Sequence, residues 1–243
     1  MPAKPVCCVT ADEEDILLTD RTVLASVAVC IGLALLFFAF PALDLTVSGW
    51  FYQNNAWIGD ESPVAISLYG LFRYLPYWLV PVLLLCLLLT WIPGGLPASG
   101  RRTWLFLLLT LLLGPGLLVH GVFKDGFERP RPRQVVEFNG PYQMVPAFVV
   151  NQECHGKCKS FVSGHAAMGF YLMVLAWVAR RRVWLWAGMG IGVLVSVVRI
   201  SQGGHFLSDV LFAGLLCWGL YLPLAQWLLG HWQIRPSSTS DIS

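Results

Sequence analysis

The sequence predicts an all-α fold, a polytopic membrane bundle with six transmembrane helices. Three observations predict it. Of 243 residues, 56% are hydrophobic and 12% charged, which is about half the charge of an ordinary soluble domain. Six apolar runs approach the roughly 20 residues that a helix needs to cross the hydrocarbon core: 22–40, 75–91, 103–123, 162–179, 183–198 and 211–229. Arginines gather in alternate connections between these runs, as they do on the cytoplasmic side of membrane proteins.

The order of elements follows from these runs. Residues 1–21 form a tail that is acidic rather than basic, so no cleavable signal peptide opens the chain and run 22–40 reads as a signal anchor. Cys7 and Cys8 in that tail read as two reduced cytoplasmic thiols, with a lipidated pair as the alternative. After the first run, Trp50, Phe51, Tyr52 and Trp57 suit the headgroup region; they read as an aromatic anchor or as a lip guiding lipid to a site. Arg101 and Arg102 separate runs two and three, Arg180, Arg181 and Arg182 separate four and five, and Arg235 follows the sixth. Alternation puts all of these on one side, so both termini are expected in the cytoplasm. The domain reading is a tail 1–21, a membrane domain 22–230 and a tail 231–243. Cys30, Cys86 and Cys217 fall inside runs as packing residues. A net charge of +2 gives no basis for nucleic-acid binding.

The two outer connections, 124–160 and 199–210, carry basic residues against the charge rule. Charge kept on the disfavoured side calls for a function. Three short motifs lie there. Lys124 precedes Arg131 and Pro132 by the spacing K-x6-RP. Ser163, Gly164 and His165 open the fourth run. Arg199, His205 and Asp209 bracket the start of the sixth. A topology drawn only from apolar runs and loop arginines thus brings every one of them to the same surface.

Their chemistry is coherent. Lys124, Arg131 and Arg199 are cations suited to a many-oxygened anion, and Arg grips phosphate through paired hydrogen bonds. Ser163 and Gly164 sit where a helix begins, where free N–H groups favour a phosphate. His205 and Asp209 are four apart, so on a helix they share a face, and the carboxylate can take the Nδ1 proton. Nε2 is then free to attack phosphorus. His165 can protonate the leaving alcohol and later activate water. The cations supply the charge stabilisation that phosphoryl transfer requires, so the scheme calls for no metal and no cofactor.

These motifs resemble the signature of the type 2 phosphatidic acid phosphatases: K-x6-RP, then P-S-G-H, then S-R-x5-H-x3-D. Val162 stands where that pattern has Pro, and Val198 where it has Ser. The resemblance implies a six-span membrane phosphatase whose catalytic residues are His205, His165 and Asp209 and whose phosphate ligands are Lys124, Arg131, Ser163, Gly164 and Arg199. Its partners would be a lipid bilayer and a phosphorylated membrane lipid. The wording "C-x3-C-x-SFVSGHA" and "QGGHFLSD" resembles bacterial members that remove phosphate from lipid A. That implies a bacterial inner membrane and a site facing the periplasm. Undecaprenyl pyrophosphate, phosphatidylglycerophosphate and phosphatidic acid remain alternative substrates, and a lipid phosphotransferase an alternative activity.

Other residues keep two readings. Cys154 and Cys158 form a disulfide in an oxidising compartment, or bind zinc with His155. Arg129, Arg133, Lys157 and Lys159 bind further anionic groups of a large headgroup, or are solvated, or pair with Glu128, Glu137 and Glu153. His120 either supports the site or bonds between helices; His155 and His231 read as exposed loop residues.

Overall fold

A computed structural model of the chain describes residues 11–234 except 152, 153 and 155; side chains are described from Leu24 onward, apart from those of His120, Lys124 and Asp125. Cys7, Cys8, Glu153, His155 and Arg235 therefore lie outside the described residues.

Helix α1 (Ala11–Ala39) begins well before the expected first span and breaks at Pro41. Proline has no N–H to donate and its ring collides with the preceding turn, so α2 (Ala42–Gly49) leaves at 82° to the upper part of α1. A two-residue turn at Asn54 and Asn55, both left-handed, then joins strands β1 (Tyr52–Gln53) and β2 (Ala56–Trp57). Asparagine tolerates that conformation better than most side chains. Ser62 caps α3 (Pro63–Leu89) by accepting from the Ala65 N–H at 3.3 Å, and Pro63 fills the first position, where no donor is needed. The second span therefore starts at Pro63 rather than at 75, and runs through Pro76 and Pro81.

Helix α4 (Arg101–Leu111) widens into a π-type stretch, Leu112–Lys124, that holds Pro115, followed by the single turn α5 (Asp125–Phe127). After the long connection come α6 (Gly164–Tyr171), a 3₁₀ turn (Leu172–Val174), α7 (Leu175–Val178), α8 (Arg182–Ser201) and α9 (Leu207–Leu229). Gly230 ends α9 in the left-handed conformation that suits glycine.

The fold is helical with one small hairpin. Among the described residues, four helices are long and apolar enough to cross a membrane, or five if α1 and α2 form one bent span. The expected fourth span, 162–179, is instead the short apolar segment Gly164–Val178. That segment lies at the centre of the bundle with nearly every side chain buried, so neighbouring helices surround it where lipid would otherwise be.

Small residues bring α8 against α6 and the 3₁₀ turn that follows it. A Cβ on Gly188 would sit 2.4 Å from the Met173 amide, and one on Gly192 would sit 2.2 Å from the Phe170 ring. Backbones that approach this closely gain dispersion contacts, the main attraction between helices in lipid. The main core fills the space between α3, α4, α6 and α9 with Phe106, Leu111, Trp177 and Tyr221. At the end where α6 begins, a smaller apolar cluster of Trp57, Val135, Phe138 and Phe206 roofs the bundle. The aromatic segment is thus divided: Trp57 is interior to the roof, whereas Trp50 is exposed.

Adding bulk at Gly188 tests this packing. Gly188→Val should lower the thermal midpoint in detergent, by about 1–3 kcal/mol of overpacking. Gly190→Ala, whose Cβ meets nothing within 4 Å, should hold or raise it. Equal midpoints for the two variants would contradict the close contact of α8 with the 3₁₀ turn after α6.

Candidate active site

The three motifs meet at one end of the bundle. Ser163 caps α6, its Oγ accepting from the Ala166 N–H at 3.3 Å, while its own N–H donates to the Asp209 carbonyl at 3.1 Å. The second and third motifs are thereby joined through backbone. Gly164 and His165 are the first two residues of α6, so the Gly164 N–H has no acceptor within the helix. Arg199 lies in the last turn of α8, and His205 precedes Phe206, the N-cap residue of α9. Arg131 lies in the connection beside them, and the backbone of Lys124 closes the π-type stretch. The side chains of Lys124 and His120 lie outside the described residues.

His205 is buried, and its Nδ1 lies 2.8 Å from the Ser160 carbonyl and 3.6 Å from Asp209 Oδ2. A carbonyl can only accept, so Nδ1 carries the proton and Nε2 the lone pair. The sequence places His205 and Asp209 on one helix face; the structure places His205 before the helix. Asp209 is the third residue of α9, and its Oδ2 turns back to accept from the Phe206 N–H at 2.8 Å. The same oxygen accepts from the Ser160 hydroxyl. Asp209 therefore reaches the imidazole largely through Ser160, whose backbone holds the ring. Burial depresses the His205 pKa to about 3, the Asp209 carboxylate opposes that shift, and Arg199 and Arg131 add to it. The resting ring is neutral.

Behind Asp209 stands Arg129, fully buried. Its Nη1 donates to Asp209 Oδ1 at 2.6 Å and to Ser208 Oγ at 2.8 Å, its Nη2 to Asp44 Oδ2 at 2.8 Å, and its Nε to the Val145 carbonyl at 2.8 Å. The guanidinium also stacks on Phe206, 4.4 Å from the ring centre. Asp44 on α2 accepts in addition from the Ser208 N–H at 2.8 Å and the Ser208 hydroxyl at 2.6 Å. The two carboxylates hold the Arg129 charge in place and raise its pKa against the effect of burial. With its nitrogens taken up by Asp44, Asp209, Ser208 and Val145, Arg129 is buried away from any headgroup and, among the described residues, pairs with neither Glu128 nor Glu137. Glu128 instead accepts from the Gly156 N–H at 2.9 Å, and Arg133 pairs with Asp60 at 2.9 Å on the surface.

The side that holds Arg199 and Arg131 is built differently. Arg199 is buried, bonded to Gln202 Oε1, and its Nε has no hydrogen-bond partner among the described residues. A Cβ on Gly204 would lie 2.2 Å from its guanidinium, so glycine at 204 leaves that group its place. Arg131 is half-buried; burial, and then the neighbouring Arg133, lower its pKa. A residue that the motifs did not name stands here: the Tyr69 ring of α3 stacks on His165 at 4.6 Å and 15°, with the Arg199 guanidinium 4.7 Å from its centre.

The roof fixes the loops that carry these groups. Arg133 N–H donates to the Gly203 carbonyl at 3.1 Å, its guanidinium bonds the Gln202 carbonyl, and Gly59 N–H donates to the Ser201 carbonyl at 3.0 Å. Gly203 has a positive φ of 58°, and a Cβ there would lie 2.3 Å from Trp57. Cys154 and Cys158 are joined by a disulfide beside the segment that leads to Ser160. Lys157 is exposed. At the opposite end, His231 is half-buried rather than exposed, and Trp177 Nε1 donates to the Trp232 carbonyl at 2.8 Å. No group of three or more His, Cys, Asp or Glu residues placed to hold a metal occurs among the described residues.

The chain is 35% identical over 199 residues to the lipid A 4'-phosphatase of Francisella tularensis subsp. novicida (strain U112), spanning 79% of this chain and 89% of that protein. It is 31% identical over 204 residues to the lipid A 4'-phosphatase of Rhizobium leguminosarum, with 76% and 86% covered. It is 31% identical over 199 residues to that of Rhizobium etli, with 74% and 76% covered. No solved structure matches the chain. Residues 103–233, which carry all the motif positions from Lys124 to Asp209, match the PAP2 superfamily, and the chain belongs to that superfamily.

Proposed function

We propose that this membrane lipid phosphatase removes a phosphate from lipid A through a phosphohistidine formed on His205. One observation carries the chemistry: the Ser160 carbonyl accepts a hydrogen bond from Nδ1–H, which leaves Nε2 the nucleophilic nitrogen within a cluster that also holds His165, Arg131 and Arg199. The curated relatives supply the substrate class.

In the first step Nε2 forms a bond to phosphorus and the bond from phosphorus to the lipid oxygen breaks. His165 gives its proton to that departing oxygen. In the second step water attacks phosphorus, His165 takes a proton from the water, and the P–N bond breaks to release inorganic phosphate. Arg131, Arg199 and Lys124, with the α6 amides behind Ser163 and Gly164, hold the non-bridging oxygens. Asp209 acts as a positioning residue through Ser160, and Arg129 holds Asp209. No step calls for a metal.

The topology reading extends the same way. Counting the bent α1–α2 pair and Gly164–Val178 as crossings gives six, with both termini and the Arg101 and Arg180–182 turns on the cytoplasmic side. The site would then face the periplasm of a bacterial inner membrane, where the Cys154–Cys158 link persists.

Phosphate release from purified lipid A in detergent tests the reaction. His165→Ala should slow it by about 10²–10⁴-fold, and His205→Ala should reduce it to background. Full turnover by His205→Ala would refute the covalent route. Arg129→Met leaves two buried carboxylates without their cation, and breaking such a pair costs about 3–5 kcal/mol. It should lower the thermal midpoint and the turnover together. A normal midpoint would contradict the buried network.

Stability against pH tests the His205 environment. The folded ring binds a proton only near pH 3, whereas the unfolded ring does so below its ordinary 6.5. The unfolded state therefore binds more protons between those values, and the contribution of His205 to stability, complete above 6.5, is lost as pH falls toward 3. The midpoint of the protein should drop more between pH 7 and pH 5 than that of His205→Asn. Parallel curves would show a solvated, ordinary imidazole.

A further inference from the structure

Arg73 is the only charged residue in the 27-residue helix α3, and it is exposed on a span that faces mostly outward. A lone guanidinium within a span is costly, and such residues mark function more often than anchoring. It forms no ion pair among the described residues. Its single described hydrogen bond goes to the Tyr69 hydroxyl at 3.3 Å, and its guanidinium lies 5.9 Å from the Tyr69 ring centre and 5.7 Å from that of Tyr74. Most of its five N–H donors thus have no described acceptor. Tyr69 in turn touches the chemistry, stacked on His165 and lying under Arg199. An unbroken series of contacts, each under 6 Å between centres, therefore runs from Arg73 to the phosphate cluster.

Depth decides what this cation meets. Arg73 is one turn further along α3 than Tyr69, about 6 Å deeper into the span. A lipid whose phosphate lies among His165, Arg131 and Arg199 presents a second polar layer at that depth, the carbonyl oxygens that link its acyl chains. Those oxygens only accept, and a guanidinium only donates. Exposed Tyr74, Tyr77 and Trp78 on the same helix suit the boundary between polar and apolar layers.

We propose that Arg73, held by Tyr69, is a specificity residue that binds the acyl-linkage carbonyls of the lipid substrate and so selects acylated phosphates. This rests on the lipid phosphatase reading, and its test is one of binding, independent of turnover. The probes are two non-hydrolysable lipid phosphonates of equal chain length in one detergent, one diacyl with ester carbonyls and one dialkyl with ether links. Full-length protein should bind the diacyl phosphonate about tenfold more tightly, the scale of one hydrogen bond to a charged group. Arg73→Met should bring the two affinities together by weakening only the diacyl form. Tyr69→Phe, which frees Arg73 from its tether while keeping the ring, should narrow the preference in part. Equal binding of both probes by the unaltered protein, binding of neither, or a preference kept by Arg73→Met would overturn the proposal. Failure of the unaltered protein to release phosphate from any lipid would instead remove the lipid phosphatase reading.

Discussion

The site depends on one buried cation. Arg129 lies between Asp44 and Asp209 with no access to water, and each carboxylate bonds a different nitrogen of the fork. Neither carboxylate can stay ionised at that depth alone, and neither can the guanidinium. Everything nearer the substrate follows from this arrangement. Asp209, fixed on one oxygen by Arg129, offers the other to the Ser160 hydroxyl and the Phe206 N–H. Ser160, fixed in turn, presents its carbonyl to the imidazole. The orientation of His205 is therefore set through one intervening residue, Ser160, rather than by the carboxylate that the motif spacing pairs with it.

The same arrangement explains the break at Pro41. A straight continuation of α1 would carry Asp44 away from the bundle. The 82° turn lays α2 along the start of α9, where the Asp44 carboxylate meets the Ser208 N–H and hydroxyl as well as Arg129. An element outside the matched stretch 103–233 thus supplies a buried charge to the machinery within it.

Much of this was legible in the sequence. The apolar runs marked the long helices, and the motif spacing marked His165, Arg199, His205 and Asp209, because helical period and fixed offsets are local properties. Asp44 and Arg129 were not legible as partners. Asp44 lies in a stretch dominated by aromatic residues, and Arg129 is one of several neighbouring bases; only a contact across 85 residues distinguishes it from Arg133, which remains on the surface. Tyr69 was missed for the same reason: stacking on a ring nearly a hundred residues away leaves no periodic trace. The burial of the bundle's central segment was not legible either. Gly164–Val178 is apolar enough to read as a lipid-facing span, yet its hydrophobicity serves protein neighbours, and burial of that kind cannot be told from lipid contact by hydropathy.

Charge balance links the buried network to the phosphate. Asp44, Asp209 and Arg129 together carry one net negative charge, and Arg131 and Arg199 carry two positive charges in front of it. With His205 neutral, the described ionic groups leave the pocket positive. On the proposed reading a doubly charged phosphate would relieve repulsion as it enters rather than add to it, and the Arg199 Nε that has no partner among the described residues would gain an oxygen. In the proposed covalent route, bonding of Nε2 to phosphorus would make the ring cationic, and the negative charge held behind it by Arg129 lies on the side where that cation would develop. On that route the carboxylate that orients the resting imidazole through Ser160 would also stabilise the proposed intermediate, a role that a carboxylate fixed by a buried guanidinium serves better than one left to solvent.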